Sequence, residues 1–94
     1  MRAKRVAEQI VEEYSLDPAL ILLIIQILQA LWEIWQTCHF RSITEQEFKI
    51  SSRLVTRRVL GRLKYKLYGQ KILEAIFKVR EQYGTDEFRN IKFN

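Results

Sequence analysis

The sequence predicts an all-α fold, a single compact bundle of four to five helices around a central hydrophobic helix at about residues 18–36. Three observations lead there. One proline and three glycines in 94 residues leave room for few turns, which favours long helices over short strands. Apolar residues recur at three- and four-residue spacing through most of the chain. Two helix-start signatures, Ser15-Leu16-Asp17-Pro18 and Thr44-Glu45-Gln46-Glu47, divide that periodicity into segments.

Ala3, Val6, Ala7, Ile10, Val11 and Tyr14 share one side of a helical wheel, and Lys4, Arg5, Glu8, Gln9 and Glu12 share the other, so residues 2–14 form an amphipathic helix. Asp17 can accept from the free amides of the next first turn, and Pro18 suits the first helical position. The central helix follows. Gln26, Gln29, Glu33 and Gln36 fall on a narrow polar strip, opposite Ile21, Ile24, Leu28, Leu31 and Trp35. A helix this apolar must be covered by its neighbours, by another chain or by lipid. Residues 18–32 carry no charge, but fifteen residues fall short of the roughly twenty that a transmembrane span needs, so a membrane helix is the less favoured reading.

Thr44 and Glu47 have the form of a capping box opening a helix that runs to Tyr68, with Phe48, Val55, Val59, Leu63 and Leu67 as its apolar stripe and Leu54 and Leu60 on its flanks. Gly61 interrupts this helix and marks a bend or a close contact. Tyr68-Gly69 reads as a C-terminal cap. A further helix covers about 70–83 with Ile72, Leu73, Ile76, Val79 and Tyr83 facing inward, Gly84 ends it, and a last short turn reaches Asn90, anchored by Phe88 and Ile91. The whole chain, 1–94, is expected to be one domain, as its size suits a single hydrophobic core.

The net charge of +5 conceals an asymmetry. Residues 1–47 hold four Lys/Arg against seven Asp/Glu, a balance of −3, whereas residues 48–94 hold twelve against four, a balance of +8. Within the basic segment 44–71, eight cations from Lys49 to Lys71 have no acidic residue among them. Such a run repels itself unless an anion lies near.

The inventory for catalysis is thin. There is one histidine and one cysteine, adjacent at Cys38-His39, and neither a Gly-rich phosphate loop nor a metal-ligand spacing, so no enzyme, cofactor or metal site is expected. Residues 43–64 can be laid against a helix-turn-helix, but the first helix would be too short and the turn lacks a glycine. Met1, Arg2, Lys4 and Arg5 resemble the start of a signal peptide until Glu8, Glu12 and Glu13 break the apolar run that should follow. A reducing location, cytoplasmic or in a virion, is expected.

The functional expectation is therefore a small non-enzymatic assembly protein of nucleoprotein or virion-associated type, contacting nucleic acid backbone, DNA or RNA, without sequence preference. Arg53, Arg57, Arg58, Arg62 and Lys64, supported by Lys66 and Lys71, would make the phosphate contacts, because helical cations one turn apart can follow successive phosphates. Tyr65 and Tyr68, interleaved with Lys64 and Lys66, add the prospect of stacking on unpaired bases. The alternative is a protein–protein adaptor or homo-oligomeric subunit, or a module docking on an acidic protein surface. Gln26, Gln29, Trp32 and Trp35 would then line the partner interface.

Overall fold

A computed structural model of the chain describes residues 2–37 and 44–89, with side chains described for 2–34 and 44–82. Cys38-His39, the Ile91 anchor and the side chains of Trp35, Gln36, Tyr83 and Phe88 lie outside the described residues. The described part is helical almost throughout, as expected, but it contains three α-helices rather than four or five: α1 (Ala3–Glu13), α2 (Ile21–Thr37) and α3 (Glu45–Arg89), with a 3₁₀ turn at Pro18–Leu20.

The predicted inward face of α1 is the observed one. Ala3, Val6, Ala7, Ile10 and Val11 are buried, and Tyr14 packs against the core half-covered. The helix closes with the amide of Leu16 donating to the carbonyl of Val11 (2.9 Å) and that of Ser15 to Glu12 (3.3 Å), while Ser15 takes a φ of 51°. This paired closure normally places glycine in the left-handed position, so the serine hid it from sequence inspection. It drives Leu16 into the core.

Asp17 acts as foreseen: its Oδ1 accepts from the amide of Ala19 at 2.9 Å, with Pro18 in the first turn. That turn is 3₁₀, and α2 proper begins three residues later. Along α2, Ile24, Ile27, Leu28 and Leu31 are buried, whereas Leu22, Gln26, Gln29 and Glu33 are exposed on one strip. Both α1 and α3 pack on α2, so the described chain itself covers most of the central helix. Among the described residues no helix is long and apolar enough to cross a membrane.

The capping box that opens α3 is complete. The amide of Glu47 donates to Thr44 Oγ1 (3.1 Å), and Glu47 Oε1 accepts in return from the amide of Thr44 (3.3 Å). As a straight rod, the 45 residues of α3 would extend about 67 Å at about 1.5 Å per residue. The longest dimension of the molecule is 34 Å. α3 must fold back, and Gly61, with a φ of 78°, is the one described position along it in the left-handed region. Two contacts give the register of the resulting hairpin. Arg80 donates to and pairs with Glu45, and the rings of Phe48 and Phe77 meet at 5.8 Å, tilted by 58°. Both pairs are symmetric about the link between residues 62 and 63. The limbs 45–60 and 62–89 therefore run antiparallel, with Gly61 at the apex.

This placement corrects the sequence reading. The chain reverses at Gly61, not at Tyr68-Gly69, and no separate helix begins at residue 70 or after Gly84. Gly69 is buried mid-limb, where an added Cβ would come within 2.7 Å of the Tyr65 ring, so its role is to let that ring lie across the helix. Leu63 and Leu67 leave the predicted inner stripe and are 69% and 61% exposed. The reversal puts the second limb in a new phase, in which Ile72, Leu73, Ala75, Ile76 and Val79 are buried.

Ser52 and Thr56, one turn apart on the first limb, are fully buried, and neither hydroxyl makes a hydrogen bond. Leaving a buried hydroxyl unpaired costs about 1–3 kcal/mol. Thr56→Val keeps the shape and removes that cost, so it is expected to raise stability by about 1 kcal/mol in urea unfolding; a loss of similar size would show that the hydroxyl is satisfied. Gly61→Ala meets no atom within 4 Å, so its cost is conformational alone. We expect it to lower stability by about 1–2 kcal/mol, and Gly61→Asn by less, since asparagine tolerates the left-handed region better. Equal stability of the alanine variant would mean that the reversal does not depend on that conformation.

Candidate nucleic-acid interface

The hairpin decides where the basic residues go. Arg53, Arg57 and Arg58 lie on the outer side of the first limb, Arg62 and Lys64 adjoin the apex, and Lys66 and Lys71 follow on the second limb. All seven are exposed, and none is ion-paired with a described carboxylate. The described carboxylate that forms ion pairs, Glu45, sits at the opposite end of the hairpin. Glu45 meets Lys49 at 4.0 Å and Arg80 more closely. Arg80 also lies over the face of Phe48, 4.5 Å from guanidinium carbon to ring centroid, so it is a packing residue of the closed end.

No acidic residue occurs between Glu47 and Glu74, so the half of the hairpin around Gly61 presents positive charge alone. Along the first limb Arg53 and Arg57 are one turn apart, a rise of about 6 Å, comparable to the spacing of phosphates along a nucleic acid strand. Their reach is that of exposed side chains, and their chemistry is that of bidentate or point-charge contacts to phosphate.

The aromatic component differs from expectation. Tyr65 and Tyr68 are half-buried and pack against the core, and the Tyr65 ring is committed to the surface of Gly69. They do not form a stacking platform beside the lysines. What this surface offers is exposed cations without an aromatic platform.

Sequence inspection missed the apolar component of the same face. Ile50 (49% exposed) and Leu54 (65%) point outward from the first limb, where helical phase sets them between the Arg53/Arg57 row and Arg58. Leu54 lines an open groove of about 470 Å³ with Ile34 of α2 and Ser51, Val55 and Arg58 of the first limb. The signal was present: Ile50 and Leu54 are out of phase with Phe48, Ser52, Val55 and Thr56. It was masked because the apolar residues outnumber what one helix face can bury.

Of the four residues expected at a partner interface, Gln26 and Gln29 are exposed on α2 in line with Leu22, Trp32 is half-buried, and the Trp35 side chain lies outside the described residues. No group of three metal-ligating side chains occurs among the described residues. In comparisons with known proteins, no family model, no curated protein and no solved structure matches the chain.

Seven cations without a described ion-pair partner, carried by the half of the α3 hairpin around Gly61, oppose folding, and that opposition is screened by salt. We expect the midpoint of thermal unfolding to rise as ionic strength increases from about 0.01 M to about 0.15 M, where the screening length falls to about 8 Å. A midpoint that falls over this range would mean that attractive pairs dominate the surface.

Proposed function

We propose that the chain is a non-enzymatic binding protein that holds nucleic acid by its phosphate backbone, as a component of a larger nucleoprotein assembly. The observation that carries this reading is the concentration of Arg53, Arg57, Arg58, Arg62, Lys64, Lys66 and Lys71 around the α3 apex, exposed and without a described carboxylate partner. A solvated helix face that serves solubility alone normally mixes the two signs. The packing of Tyr65 and Tyr68 into the core favours backbone contact over base stacking, and so favours affinity without sequence preference.

A second reading has its own observation. Leu22, 71% exposed, lies on the α2 strip with Gln26 and Gln29, a combination suited to an interface with another protein or another copy of the chain. It predicts an oligomer that persists at high salt, where phosphate contacts are lost.

The test is a binding series with unrelated duplexes and single strands. The wild type is expected to bind all of them with an affinity that falls steeply with salt. The double variant Arg57→Glu/Lys64→Glu is expected to lose affinity at least about tenfold and to flatten the salt slope by about 2, since each phosphate contact contributes about 0.9. Unchanged affinity and slope would remove the nucleic-acid reading. Light scattering at low and high salt separates the oligomer reading from it.

A further inference from the structure

Leu63 and Leu67 have no role in phosphate binding, yet they are among the most exposed apolar side chains described, at 69% and 61%. A single exposed leucine is ordinary. These two are one turn apart at the middle of the outward face of the second limb, next to the apex. Arg62, Lys64 and Lys66 are their immediate neighbours in sequence, and Lys71 lies one turn beyond Leu67; all four cations are exposed. The first carboxylate along the limb is Glu74.

We infer that the apex of the α3 hairpin docks on an anionic lipid bilayer, with Leu63 and Leu67 entering the interfacial region and Arg62, Lys64, Lys66 and Lys71 meeting the headgroups. The charge of the surface favours this occupant over a second copy of the chain or nucleic acid. A second copy docking through the same face would set one cluster of cations against another. Nucleic acid would satisfy the cations but leave both leucines in water. An anionic bilayer satisfies both, because it offers negative headgroups beside an apolar layer a few ångströms deeper. Both leucines lie on the outward face of the second limb, where a flat, deformable surface can reach them. Docking would be peripheral, in keeping with the lack of a helix long and apolar enough to span among the described residues.

This inference goes beyond the nucleic-acid reading and is separable from it. The two ligands share the apex cations, but only the bilayer uses the leucines. The full chain should be floated with vesicles of phosphatidylcholine alone and with vesicles holding about 30% phosphatidylserine. Binding is expected to the anionic vesicles only. Leu63→Ser/Leu67→Ser should weaken it at least about tenfold, as each buried leucine side chain is worth about that factor or more, while nucleic acid affinity stays within about twofold. Circular dichroism of this variant should match the wild type, since both side chains are exposed. Lys64→Glu/Lys66→Glu should abolish vesicle binding and weaken nucleic acid binding together. Failure of the wild type to float with anionic vesicles, or undiminished binding by the serine variant, would overturn the docking proposal and leave the nucleic-acid reading as it stands.

Discussion

Gly61 holds a backbone conformation that an ordinary residue adopts only at a cost, and it does so in the middle of a 45-residue helical run. That constraint converts a potential rod into an antiparallel hairpin. Glu45 reaches Arg80, Phe48 reaches Phe77, and the aliphatic faces of both limbs become available to close over α2. The same reversal gathers cations from both limbs around one end. The core and the candidate surface are thus two outcomes of one local choice.

The cationic end is compatible with a stable fold because the opposing terms differ in size. Two exposed charges about 10 Å apart repel by about 0.4 kcal/mol in water, less with salt. Burial of one leucine or isoleucine side chain contributes about 1.5–3 kcal/mol, and the core contains many such residues from all three helices. Hydrophobic burial wins, so the molecule tolerates an unbalanced surface. The closed end adds a local fastening in which Arg80 bridges the Glu45 carboxylate and the Phe48 ring.

Much of this arrangement was legible in the residues. The inner face of α1, the Asp17-Pro18 start, the polar strip of α2 and the Thr44/Glu47 capping box all rest on local chemistry, which a sequence displays directly. Gly61 was legible as a bend or close contact but not as a full reversal, because two glycines compete for that role and the misleading one has the better local credentials. Leu63 and Leu67 continue the spacing of Val55 and Val59, which carries the eye past Gly61. Tyr68-Gly69 then imitates a cap. The deciding information is tertiary: Tyr65, Gly69, Ile72 and Ile76 form one inner face that a break at Gly69 would divide. The candidate surface was legible as a list of cations, whereas its leucines and the packed state of Tyr65 and Tyr68 emerged only once the second limb had its true phase.

The packing order follows the chain order. α1 rests on α2 and α2 on α3, and the limbs of α3 meet at Glu45–Arg80 and Phe48–Phe77, so most docking joins elements that follow one another in the chain. The entropy lost in closing a loop grows only with the logarithm of its length. A chain wired this way can assemble by successive zipping of neighbouring elements. Helical proteins of such local connectivity reach the native state within microseconds to milliseconds. Little time would then pass with the aliphatic residues of α2 uncovered during refolding.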